Sequence, residues 1–120
     1  MGKKNYRDLD VWQLAMDLVV ECYKLTKMFP KSELFGLASQ LQRAAVSVPA
    51  NIAEGQARQH VKEFIQHLSI AQGSLAEAET HIQIAERLHY IDSDKVQEIL
   101  TKSDQVARMI TGLKKSLQNH

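Results

Sequence analysis

Proline and glycine are scarce in this chain, two and five among 120 residues. All-β folds spend both freely on turns and bulges, so their scarcity speaks against one. Cysteine occurs once, at Cys22. No internal disulfide can form, and a reducing, cytoplasmic setting fits. Aromatic residues are only 6% of the chain, and none alternate with basic residues as a base-stacking surface would require. No apolar run approaches the ~20 residues that a membrane-spanning helix needs. The opening MGKKNYRDLD turns acidic and aromatic where an export signal carries its apolar centre, so we read no export. A net charge of +1 is far from the strongly basic balance of a dedicated nucleic-acid binder.

What is present is a chain that is 44% hydrophobic and 24% charged, enough to fill a core. Its length suits one domain, residues 1–120. Three breaks divide it. Pro30 cannot extend a preceding helix, and Ser32 is placed to cap the next. Residues 55–60 form a softer break, and Tyr90-Ile91-Asp92-Ser93-Asp94 a third with several capping side chains. Four helices are thereby predicted, at about 9–29, 33–57, 60–90 and 94–118.

Helical spacing supports each of them. In the third stretch Val61, Leu68, Leu75, Ile82 and His89 lie seven apart, as do Phe64, Ala71, Ala78 and Ala85. The second row is mostly alanine, which allows close helix approach. The fourth repeats the pattern with Val96, Ser103, Ile110 and Leu117 beside Ile99, Val106 and Leu113. Such patterns predict an all-α fold, an up-down antiparallel four-helix bundle with short loops. The first helix carries two apolar stripes on its wheel. Trp12, Met16, Val19 and Tyr23 form one; Leu14, Leu18, Cys22, Leu25 and Phe29 form the other, roughly 240° away. One stripe suffices for an outer helix. The second is either a wider core contact or a subunit interface, and we read Leu14, Leu18, Cys22, Leu25 and Phe29 as the interface.

The second helix carries a polar row. Gln40, Arg43, Ser47, Asn51, Glu54 and Arg58 recur every three or four residues and fall within about 80°. Apolar positions flank the row on both sides, which points to a polar seam along a packed surface rather than a solvated face. Glu54 to Arg58 has the favourable i to i+4 order, and Arg43 can reach Ser47. Pro49 leaves the carbonyl of Ala45 without its donor, so a kink is expected near it, relieved by Ser47 or water. The seam either locks helix register or lines a partner groove.

Charge is segregated along the chain. Residues 1–9 hold Lys3, Lys4 and Arg7 against Asp8, net +2; residues 102–120 hold Lys102, Arg108, Lys114 and Lys115 against Asp104, net +3. Residues 74–98 carry a net charge of −4. In an up-down bundle both termini share one end, so the positive charge pools there. Chemical sites are weak by comparison. Glu86-x-x-His89 occurs once, whereas di-iron bundles need two copies and two further Glu. Ser47 lacks a nucleophile elbow. Gly73 and Gly112 read as close-packing positions inside helices. No cofactor or metal is expected, and the chain is read as non-enzymatic.

The runs Pro30-Lys31-Ser32-Glu33-Leu34-Phe35-Gly36-Leu37 and Ser39 through Gly55, with SVPANIAEG at its centre, resemble a known family. So do Asp10-Val11-Trp12-Gln13, Lys62-Glu63-Phe64-Ile65 and Ala71 through Thr80. It is the four-helix-bundle family encoded in intervening sequences of bacterial 23S ribosomal RNA genes, and the likeness spans about residues 6–113. The resemblance implies an up-down bundle and a homo-oligomer, a pentameric ring. It further implies kinship with the accessory variability determinants of diversity-generating retroelements, which associate with a reverse transcriptase and bind nucleic acid. Gln42 stands where members commonly carry a second basic residue, and His60 where Ser commonly caps the third helix. We therefore expect a homo-oligomeric scaffold engaging RNA, DNA or a nucleic-acid enzyme through Arg43, Arg58, Lys62, Arg108, Lys114 and Lys115. The alternative is a protein-only adaptor.

Overall fold

The computed structural model describes residues 5–119. Four helices account for most of it: α1 Asp10–Thr26, α2 Leu37–Ala57, α3 Val61–Arg87 and α4 Ser93–Gln118. One-turn 3-10 segments, Tyr6–Asp8 and Lys31–Glu33, precede α1 and α2. The helices pack in sequence order, and α1 closes the ring against α4. Helices α1 and α3, and α2 and α4, thus sit diagonally in a body of 48 × 24 × 21 Å. This is the all-α, up-down four-helix bundle that the heptads predict. Among the described residues no helix is long and apolar enough to cross a membrane.

The core forms where the periodicity places it. Leu68, Leu75 and Ile82 of α3 are buried, as are Ala71, Ala78 and Ala85 beside them. On α4, Val96, Ser103 and Ile110 alternate with Ile99 and Val106, all buried. The ends of the α3 row fall away: Val61 is exposed, and His89 lies past the helix with φ 61° rather than capping the core.

The stripe of α1 expected at a subunit interface is the inward one. Leu18, Cys22, Leu25 and Phe29 are buried within the protomer, joined by Val11 and Ala15, and Leu14 packs partly buried against them. These five residues are core, not an exposed subunit interface. The wheel offers two stripes and does not say which is inward. Of the other stripe, Trp12 and Val19 pack partly buried against the core, while Met16 and Tyr23, with Val20 beside them, are each at least 40% exposed. Cys22 is a core filler whose thiol is pushed up to about 12 by burial, with Glu21 adding to the shift.

Boundaries move for local reasons. Helix α1 ends at Thr26, whose hydroxyl donates back to the carbonyl of Tyr23 (2.8 Å). Helix α2 begins at Leu37, four residues later than expected, because residues 30–36 are used by the 3-10 turn and a bend at Gly36. Ser32 does not cap it. The Leu37 N–H instead donates to Glu33 Oε1 (3.1 Å), while the Tyr90 hydroxyl donates to Glu33 Oε2 (2.8 Å). One carboxylate thus caps a helix and ties the α1–α2 connection to the α3–α4 connection. A Cβ on Gly36 would stand 2.8 Å from Glu33 Oε1, so glycine keeps this latch closed. Asp92 caps α4 as expected, accepting from the N–H of Lys95 (3.0 Å). Helix α2 runs without interruption through buried Pro49.

Candidate functional site

The α2–α3 interface is built around one close approach. A Cβ on Gly55 would lie 2.7 Å from His67 Cβ and 3.1 Å from Phe64 Cδ1. Only glycine lets the two helices meet there. Gly73 and Gly112, by contrast, have nothing within 4 Å of a would-be Cβ, so they are not close-packing positions.

That proximity brings the polar row of α2 against a second polar row on α3. Ser47 Oγ and Ser74 Oγ share a hydrogen bond of 2.8 Å. Asn51 Nδ2 donates to the Ser47 carbonyl (2.9 Å) and to Ser47 Oγ (3.0 Å). With its amide so oriented, Asn51 turns Oδ1 to His67 Nδ1 at 3.0 Å. An amide oxygen only accepts, so Nδ1 carries the proton. His67 Nε2 then faces Glu54 at 3.9 Å. The chain ends in Arg58, which donates to Glu54 Oε2 (2.9 Å) and Glu63 Oε1 (3.1 Å). The Arg58 hydrogen bond, followed by the nearby His67, holds the Glu54 carboxyl below its ordinary range. Glu54 and then Glu63 raise the Arg58 guanidinium in turn.

Four of the six seam residues therefore meet: Ser47, Asn51, Glu54 and Arg58. Gln40 and Arg43 do not; both are exposed, and their side chains make no hydrogen bond or ion pair among the described residues. At their level α3 presents Glu77 and His81, which pair with each other at 3.4 Å. Ser47 bonds Ser74 and Asn51, so it neither meets Arg43 nor serves Pro49. The α3 half of the network, Glu63, His67 and Ser74, was not anticipated. Its signal is present as a polar row at i, i+4 and i+11 on one side of α3. In chemical terms the groups satisfy one another, and the assembly is a clamp between two helices.

The cations sort by position. Arg58 and Lys62 flank the α2–α3 turn, and Lys114 and Lys115 lie in the closing turns of α4, so all four occupy the bundle end that holds both termini. Arg43 lies 15 residues from Arg58, about 22 Å along α2, and belongs to the other half. Lys3 and Lys4 lie outside the described residues. Lys114 Nζ donates to Ser69 Oγ (2.8 Å) and Gln72 Oε1 (3.0 Å), bracing α4 on α3 without losing its charge to an acid. Arg108 pairs with Asp104. Lys62 and Lys115 are exposed and unpaired among the described residues. Arg108, Thr111 and Lys115 line a shallow depression of about 320 Å³ whose floor is Ala107 and Gly112. Two cations and the Thr111 hydroxyl, which also accepts from Gln72 Nε2 (3.1 Å), lie on this helix face, and side chains of these types are ones that contact phosphate oxygens. Among the described residues no three His, Cys, Asp or Glu side chains converge as metal ligands.

Known proteins bear on this fold. The bundle resembles the crystal structure of a protein of unknown function from the S23 ribosomal protein family of Bacteroides thetaiotaomicron VPI-5482. The TM-score is 0.78 at 24% identity, covering 88% of this chain and 98% of that one. At that identity the likeness establishes the fold alone. A search of curated proteins gives no match. A family model does match, over residues 7–112, and its span takes in α1, the Glu33 latch, the α2–α3 clamp and most of α4. The chain belongs to the 23S rRNA-intervening sequence protein family.

Proposed function

We propose that this chain is a non-enzymatic helical scaffold that assembles with copies of itself and holds the phosphate backbone of RNA or DNA. The observation that carries the nucleic-acid reading is the face of α4 where Arg108, Thr111 and Lys115 surround the depression over Gly112. Lys114 and Lys62 add charge at the same end of the bundle. Repetition of this face around an oligomer would multiply weak phosphate contacts into useful avidity. Non-enzymatic is favoured because the polar network between α2 and α3, from Ser74 to Glu63, spends its groups on one another. Self-assembly is supported by apolar side chains left outside a complete core: Met16, Val20 and Tyr23 on α1, Val46 on α2 and Phe35 before it. For the assembly and the partner, the sequence resemblance implies a pentameric ring and a reverse transcriptase.

Salt titration of RNA binding tests the phosphate reading. Three phosphate contacts per protomer predict a fall in affinity of roughly 20- to 40-fold between 50 and 200 mM salt, and Arg108→Ala with Lys115→Ala should lower that slope. Affinity indifferent to salt would refute it. A protein-only adaptor is the second reading, favoured by the acids that already occupy Arg58 and Arg108.

A further inference from the structure

Phe35 is 92% exposed, far more than any other large apolar side chain described, and Leu34 beside it is 59% exposed. Neither hangs on a loose loop. The Leu34 N–H donates to the Lys31 carbonyl (3.1 Å) and the Gly36 N–H to that of Glu33 (3.0 Å). Glu33 itself is held at both oxygens, by Leu37 and Tyr90. A phenyl ring presented on a fixed backbone loses little entropy on docking, and it gains by leaving water.

The same chain offers a receptacle. Between the C-terminal half of α1 and the N-terminal half of α4 lies an open groove of about 940 Å³. Met28 contributes exposed apolar wall over the buried Leu25 and Ile99, Thr101 a small side, and Asp92 and Asp94 the rim. Its other charges are Glu21 and Glu98 against Lys24, Lys95 and Lys102, which leaves the whole lining at net −1. The segment bearing Phe35 has the opposite balance. Lys31 is exposed and unpaired among the described residues, while the one acid, Glu33, is turned to Tyr90 and Leu37. An apolar knob with a basic neighbour thus has, on another copy, a groove with an apolar patch at Met28 and a net negative lining.

We infer that the Phe35 knob of one copy seats in the α1–α4 groove of the next. This rests on the self-assembly reading above and names its contact surfaces. Knob and groove are different patches of one protomer, so the interface is heterologous and propagates head to tail until it closes as a ring.

The test uses two variants of the full chain and light scattering. Phe35→Ala removes the knob and leaves the groove; Thr101→Trp fills the groove and leaves the knob. Both sites are at the surface, and unchanged circular dichroism verifies folding. The expected result is a wild type several times the 13.6 kDa chain mass and each variant alone at 13.6 kDa. Their mixture then forms a species of twice 13.6 kDa, because one intact knob meets one intact groove. A wild type and a Phe35→Ala variant of equal oligomeric mass would overturn the knob and leave self-assembly standing. Monomeric variants whose mixture stays monomeric would overturn the heterologous pairing. A monomeric wild type would overturn both readings.

Discussion

Gly55 shows how one absent methyl group positions a network. Alanine there would press on His67 Cβ and on Phe64, and overpacking of that kind costs about 1–3 kcal/mol. Gly55→Ala should therefore lower the urea midpoint, whereas Gly73→Ala, with open space around it, should raise stability by up to about 1 kcal/mol. Equal effects at the two glycines would contradict the close approach. Glu33 makes a separate prediction. Its carboxyl is held below the ordinary range, first by the Leu37 N–H and then by the Tyr90 hydroxyl. A depressed folded-state value means that its stabilisation is complete above the unfolded value of about 4.3 and is lost as pH falls through the folded one. Glu33→Gln should melt below wild type at pH 7, and the gap should close as the pH drops below about 4. A gap constant from pH 7 to pH 3 would show that the charge is immaterial.

At the scale of elements, what could be read in advance depended on whether the pattern was local. The rows of α3 and α4 name their own buried faces, because each has one apolar stripe sustained over several turns. Helix α1 has two, and the inward choice is made by its neighbours α2 and α4, which the wheel does not contain. The same holds for the clamp. The α2 half was visible as a row, but its match to Glu63, His67 and Ser74 depends on a helix-to-helix register set by the Gly55 approach. Glu33 was hidden because it caps from outside the helix, four residues before Leu37. Substitution separates the two stripes of α1. Leu18→Ala should cost about 2–5 kcal/mol as a core truncation. Val20→Ser, on a side chain 51% exposed, should stay within about 0.5 kcal/mol. Chemical denaturation of both variants as dilute protein checks this, and similar losses would return the outward stripe to the core.

For the whole molecule, the core closes within one protomer, yet a cationic end, an outward apolar stripe and a rigid Phe35 remain unused by it. A bundle whose polar clamp satisfies itself has its remaining capacity at its surface. On the proposed reading assembly would make those surfaces productive, since a single +1 chain offers few phosphate contacts while a ring would offer several sets at fixed spacing. Native mass spectrometry of the wild-type chain at low micromolar concentration tests this most directly. Self-assembly predicts a discrete species at a fixed multiple of 13.6 kDa. A spectrum containing only the 13.6 kDa chain would contradict it.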